Sequence, residues 1–121
     1  MSYSMDFKIG IIGGGQLGKM LAQAAKKLNF HVSVLDPTPQ CPAYSLVDNQ
    51  IVAGFYDDDK IRELVENSDI TTFEIEHIST KVLKQLQDMG HKIYPSPEVL
   101  EIIQDKAKQK QMLDKHGIPT A

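Results

Sequence analysis

The chain is 121 residues long, 41% hydrophobic and 24% charged, and its 13 basic and 16 acidic residues leave a net charge of −3. That balance excludes a disordered, charge-rich polypeptide and suits one domain rather than two, and the lack of any basic block argues against a nucleic-acid or anionic-membrane surface. Cys41 is the only cysteine, which excludes an internal disulfide framework and a Cys-rich zinc site. The longest apolar run, residues 9–15, is far too short for a bilayer span, and no charged-then-apolar leader opens the chain. A soluble, cytoplasmic domain is the expectation.

Taken in chain order, residues 7–12 form a short apolar run that breaks into three glycines, the pattern of a buried strand meeting a tight turn. Leu17, Met20, Leu21, Ala24, Ala25 and Leu28 then recur at helical spacing and predict one inward stripe on a helix of about three turns. Residues 31–35 read as a second buried strand. Pro37, Pro39 and Pro42 make the stretch from Asp36 to Pro42 a stiff loop that cannot enter a sheet interior. A third, short strand is predicted over 50–53. A helix follows whose N-terminus carries Asp57 to Asp59 and whose buried face is Ile61, Leu64 and Val65.

Residues 70–75 are β-branched and aromatic, hence a fourth strand. Ser79 is placed to cap a helix with Val82, Leu83 and Leu86 inward, and Gly90 closes it. Residues 92–94 supply a fifth strand. Pro97 behind Ser96 starts a helix with Val99, Leu100 and Ile103 inward, and a separate, highly polar helix is expected from Asp105 to His116. Strands alternating with helices predict an α/β fold, with an open, mainly parallel five-stranded sheet and helices on both faces. Residues 118–121 read as the start of a linker, so the chain is expected to be the front piece of something longer.

The chemistry concentrates where strands end. Gly13, Gly15 and Gly18 satisfy G-x-G-x-x-G between a strand and a helix. Such a turn either cradles a phosphate or carboxylate on free helix N–H groups or simply lets the helix pack close to its strand. Asp36, at the tip of the second strand, stands where a dinucleotide-binding domain places its ribose-binding acid. A stand-alone NAD- or nucleotide-binding module is therefore one hypothesis. The proline loop lying where an adenosine would rest counts against it. So do Glu74 and Glu76, which share a strand face by the two-residue period and suit an amine-bearing ligand better than a pyrophosphate. Those two carboxylates are either ligands at the sheet edge or solvated strand-end charges.

His31, His77, His91 and His116 have no metal-ligand spacing, and no nucleophile-and-base set is visible, so neither a metal site nor a catalytic residue is assigned to this segment. Cys41 lacks a base partner. By pattern alone Lys106, Lys108 and Lys110 are a solvated helix face.

Residues 11–21 through the glycine turn, then Val34 to Pro37, Pro42-Ala43, Phe73 to His77, Pro95-Ser96-Pro97 and Gln104-Asp105-Lys106, occur in an order and spacing that closely resemble one known family. It is the N-terminal, pre-ATP-grasp domain of N5-carboxyaminoimidazole ribonucleotide synthetases, members of the ATP-grasp superfamily, and the resemblance runs the length of the chain. It implies a Rossmann-like ribonucleotide-binding domain over residues 1–104. Residues 105–121 would then be a helix and the start of a linker to an ATP-grasp domain. It further implies an ATP- and Mg2+-dependent carbon–nitrogen ligase of purine biosynthesis. That enzyme joins bicarbonate, through carboxyphosphate, to the amine of 5-aminoimidazole ribonucleotide, with ATP and metal held mainly by domains beyond this segment. By the same resemblance the segment alone is inactive, and the full-length protein is a homodimer. Carried over by motif, Gly15, Gln16 and Leu17 contact the ribonucleotide. Glu74 meets its amine or ribose end, Glu76 lies nearby, and Lys106 reaches the ATP phosphates from a position where relatives often carry arginine.

Overall fold

Strands buried on both faces need apolar side chains in both directions, and residues 8–12, Lys-Ile-Gly-Ile-Ile, have them. In the computed structural model, which describes residues 7–73 and 77–115, this segment is β1 (Lys8–Ile12). It is followed by α1 (Gln16–Lys27), β2 (His31–Asp36), β3 (Asn49–Val52), α2 (Asp58–Glu66), β4 (Ile70–Phe73), α3 (Thr80–Asp88), β5 (Ile93–Pro95) and α4 (Ser96–Lys115). A short 3-10 turn at Tyr44–Leu46, which the sequence pattern did not announce, lies between β2 and β3. The strands form one sheet in the order β3-β2-β1-β4-β5, every neighbouring pair parallel. The predicted α/β architecture with a five-stranded parallel sheet is the one observed.

The two-residue period of β1 sorts the helices. Ile9 and Ile11 face α1 and α4, where they join Leu21, Ala25, Val34 and Ile103 in one core. Ile12 faces the other way, into a second core with Leu35, Leu64, Val82 and Leu86 from β2, α2 and α3. Two helices thus cover each face. Each fully buried Leu or Ile contributes about 1.5–3 kcal/mol of transfer free energy, so the two cores hold the sheet from both sides.

Three sequence expectations are corrected. The stripe on α1 is rotated: Gly18 and Ala22 are buried, while Leu17 and Met20 are 37% and 59% exposed. Those two side chains line a groove of about 420 Å3 between α1 and α4, facing Leu100, Ile103 and Ala107. The rotation follows from close helix–sheet packing, which favours the small residues of the helix on the inner side. Second, the two helices expected over residues 96–116 are one continuous α4, because Gln104 and Asp105 interrupt the apolar stripe without breaking the backbone. The expected end at His116 and Gly117 lies outside the described residues. Third, Ser79 occupies the N-cap of α3 but its side chain makes no capping bond. Its backbone N–H donates to the Phe55 carbonyl at 3.0 Å instead. Among the described residues no helix is long and apolar enough to cross a membrane.

Candidate functional site

From β1 the chain passes through α1 to β2 on one side, then returns to lay β4 on the other side of β1. The carboxyl ends of β1 and β4 are therefore the switch point of the sheet, where diverging connections leave a crevice. The glycine turn sits on its rim. Gly13 has φ 105, a left-handed conformation that favours glycine, and its N–H donates to the Leu35 carbonyl at 2.8 Å. At Gly18 a side chain would collide with the Gly13 carbonyl oxygen, so α1 approaches the turn as closely as backbone allows.

Gly15 is the N-cap of α1, with extended backbone, no side chain to cap, and no acidic residue in the first turn. The first-turn N–H groups of Gln16, Leu17 and Gly18 have no acceptor within the helix. Aligned peptide dipoles add positive potential there. The opposite design appears on α2, where the Asp57 carboxylate accepts the Lys60 N–H at 3.2 Å and Asp58 and Asp59 occupy the first turn. One helix end is neutralised by its own sequence; the end over the crevice is left with donors.

Asp36 does not present a free carboxylate. Its Oδ2 accepts the Gly14 N–H and its Oδ1 the Thr38 N–H, each at 2.8 Å. The Gly14 carbonyl in turn accepts the Ala43 N–H at 3.0 Å. Cys41 is buried directly against Gly14, where any side chain would collide with its Sγ. Burial pushes the Cys41 thiol up, the Ala43 N–H opposes this, and the Asp36 carboxylate pushes it further up. The thiol is thus a packing group, protonated at neutral pH. The proline loop 37–43 is a strap packed on the glycine turn through Cys41 and Ala43.

On the other wall, Phe73 ends the described part of β4 beside Ile12 of β1. The buried Ser96 hydroxyl, at the start of α4, donates to the Phe73 carbonyl at 2.8 Å. Sequence reasoning treated Ser96 as the residue before Pro97 and as part of the Pro95-Ser96-Pro97 motif. Its contact spans from the fifth strand to the fourth, and no local spacing could announce it. Glu74 and Glu76 lie outside the described residues.

Gly15, Gln16 and Leu17 are brought together at the carboxyl end of the sheet, the latter two exposed. Lys106 is elsewhere. Its Nζ stands 4.7 Å from the centroid of the Phe7 ring, a cation–π contact. It helps line a cavity of about 500 Å3 with Asp69, His91, Lys92 and Tyr94. Phe7, Asp69 and Lys92 precede β1, β4 and β5, so this cavity is at the amino end of the sheet, opposite the glycine turn. Lys106 is neither a freely solvated charge nor part of the crevice. His77, after the undescribed segment, is exposed. Among the described residues no group of three or more His, Cys, Asp or Glu could hold a metal ion.

Residues 5–104 match the family described as the ribonucleotide synthetase preATP-grasp domain. The N5-carboxyaminoimidazole ribonucleotide synthase of Staphylococcus epidermidis is 45% identical over 105 residues, covering 87% of this chain and 28% of that protein. The phosphoribosylaminoimidazole carboxylase of Ogataea methanolica is 43% identical over 116 residues, covering 93% of this chain and 21% of that protein. Among solved structures, N5-carboxyaminoimidazole ribonucleotide synthetase from Thermotoga maritima superposes with a TM-score of 0.72 at 59% identity, over 93% of this chain and 31% of the other. The Aspergillus clavatus synthase, solved in complex with ADP and 5-aminoimidazole ribonucleotide, superposes with a TM-score of 0.65 at 39% identity, over 93% of this chain and 30% of the other. The chain thus spans under a third of the length of each of these relatives. With the parallel sheet, the glycine turn and the switch-point crevice matched in one contiguous stretch, the chain belongs to the ribonucleotide synthetase preATP-grasp domain family.

Proposed function

We propose that this chain is the ribonucleotide-holding domain of an ATP-dependent carbon–nitrogen ligase. Its reaction would carboxylate 5-aminoimidazole ribonucleotide with bicarbonate to N5-carboxyaminoimidazole ribonucleotide, a step of de novo purine biosynthesis in the cytoplasm. The observation that carries the reading is the uncapped, acid-free N-terminus of α1 at the crevice between β1 and β4. Support comes from the Aspergillus clavatus relative, whose complex contains ADP and that ribonucleotide.

In this reading Gly15, Gln16 and Leu17 bind the ribonucleotide along the helix terminus, where N–H donors and dipole favour an anion. Glu74 meets the amine or ribose end, with Glu76 beside it. A carboxylate there orients the amine lone pair toward the carboxyl carbon, which is positioning rather than proton transfer. The new C–N bond forms as the carbon–oxygen bond of carboxyphosphate breaks and inorganic phosphate leaves. Lys106 supplies a compact positive charge for ATP phosphate oxygens. Residues 105–121 lead toward the ATP-grasp domains that hold ATP and Mg2+, the latter neutralising phosphate charge when bound. The homodimer expected of the longer protein is part of the same reading.

The test is steady-state kinetics of the longer protein that carries this chain. Glu74→Gln should raise the KM for 5-aminoimidazole ribonucleotide roughly tenfold or more, the cost of a charged hydrogen bond, and leave the KM for ATP unchanged. ATP cleavage indifferent to ribonucleotide, or saturable NAD binding by the chain, would overturn the proposal.

A further inference from the structure

We infer that Asp36 is a positioning residue: its carboxylate holds the glycine turn so that the N–H groups of Gly15, Gln16 and Leu17 keep one fixed direction into the crevice. The inference deepens the proposed function and rests on it for the identity of the ligand, but the tethering is visible without any ligand.

Three successive glycines have the least intrinsic preference for any one backbone conformation. A turn built from them is an accurate binding rim only if something outside it fixes its peptides. Two tethers do so. Asp36 Oδ2 takes the N–H of the peptide between Gly13 and Gly14 at 2.8 Å. Ala43 gives its N–H to the carbonyl of the peptide between Gly14 and Gly15 at 3.0 Å. The second peptide ends in the N–H of Gly15, so fixing its carbonyl fixes the first donor of the rim.

Asp36 is itself held. It ends β2 opposite Val52 of β3, and its carbonyl accepts from the Gln50 side-chain amide and from the Ala53 N–H, each at 3.3 Å. The same Gln50 nitrogen donates to the Thr38 carbonyl at 2.9 Å, and the Thr38 N–H returns to Asp36 Oδ1. The start of the strap is therefore fixed at Thr38, its end is fixed by the Ala43 bond to Gly14, and Cys41 fills the space against Gly14. Each carboxylate oxygen accepts a backbone N–H, and through the one on Gly14 Asp36 acts on the glycine turn. Charge-assisted bonds of this kind are the strong class. Holding donors in place beforehand raises affinity by lowering the ordering cost of binding.

Asp36→Asn tests this with almost no change in shape, because the amide must turn its NH2 toward one of two N–H donors. Asp36→Ala removes both acceptors without adding that repulsion, whereas the asparagine oxygen still accepts one of the two N–H groups. Amide hydrogen exchange on the ligand-free longer protein reads the tether directly. Exchange at Gly14 should accelerate about tenfold or more in Asp36→Ala, and in Asp36→Asn at Gly14 or Thr38, whichever N–H faces the amide NH2, while Leu64, Val65 and Leu86 on the far face keep their rates. In kinetics of Asp36→Ala the KM for 5-aminoimidazole ribonucleotide should rise about tenfold with the KM for ATP moving less than about twofold. Unchanged exchange at Gly14 in Asp36→Ala, or acceleration spread equally over both faces, overturns the inference whatever the substrate proves to be. A loosened turn with an unchanged ribonucleotide KM also overturns it. A loosened turn in a protein whose wild type does not use the ribonucleotide supports the tether and overturns the proposed function instead.

Discussion

Asp48 shows how one side chain can close a loop. Its carboxylate accepts from Lys26 Nζ at 2.8 and 3.0 Å and from the Val32 N–H at 2.8 Å, and Lys26 Nζ also reaches the Phe30 carbonyl at 3.2 Å. The end of α1, the start of β2 and the approach to β3 meet there. Burial pushes the Asp48 carboxyl up, but the Lys26 hydrogen bond, the Val32 N–H and the charges of Lys26 and His31 together outweigh it and leave it below the ordinary 3.8. A carboxyl depressed in the folded state stabilises at pH values above its unfolded pKa and loses that contribution as pH falls through the folded one. With the side chains of the ion pair about one-third exposed, the clasp is worth under about 1 kcal/mol. Asp48→Asn should therefore melt lower than wild type at about pH 7, with the gap closing as pH falls below the ordinary carboxylate range. Thermal melts across that range check it, and a gap independent of pH would remove the charge from the explanation. Nothing in the sequence singles out Asp48, because its partners lie 16 and 22 residues away. Asp36 was conspicuous in the sequence for the opposite reason, its place at a strand tip. What stayed hidden there was its acceptor role, since only the folded strap brings Gly14 and Thr38 to the two oxygens.

Helices carried the clearest periodic signal, and their departures have local causes. The cap of α2 is legible as three consecutive aspartates, and the first of them does the capping. Asp57→Ala should cost about 1 kcal/mol, and Asp57→Asn much less, because asparagine still accepts the Lys60 N–H. Urea unfolding midpoints would resolve the two variants. Ser79 looks like an equally good cap in sequence, yet the Phe55 carbonyl holds its backbone and the hydroxyl makes no capping bond. On α1 the apolar stripe identified the helix but misjudged its rotation. Periodicity weighs residues by hydrophobicity, whereas the sheet selected Gly18 and Ala22 for their size. The split expected in α4 came from reading a polar stretch as a boundary. Lysine, glutamine and alanine continue a helix as readily as leucine does.

At the scale of the molecule the sheet separates two cores, and their independence can be measured. Leu21 lies in the core under α1 and α4, Leu86 in the core under α2 and α3, and both are essentially buried. Leu21→Ala and Leu86→Ala should each cost about 2–5 kcal/mol. The losses should add within about 0.5 kcal/mol, because the sites share no neighbours across the strands. A double-mutant cycle by chemical denaturation supplies the number, and strong coupling would mean that the sheet transmits strain between its faces. The layered α/β plan itself was readable from alternating strand and helix signals. The strand order was not, since nothing local in β4 says that it sits beside β1.

That strand order also dictates the sequence of events in folding. β1 is the central strand, yet its two partners are β2 and β4, with Ile9 paired to Val32 on one side and to Ile70 on the other. No hairpin can nucleate such a sheet, and every strand pairing must close a long loop, which slows the search. During synthesis β1 is made before the other four strands of this sheet, and one of its edges stays bare until β4 has been made. The apolar segment most central to the finished molecule is thus the one that waits longest with an open edge, and it is where a chaperone or a misdirected neighbouring chain would find its first purchase.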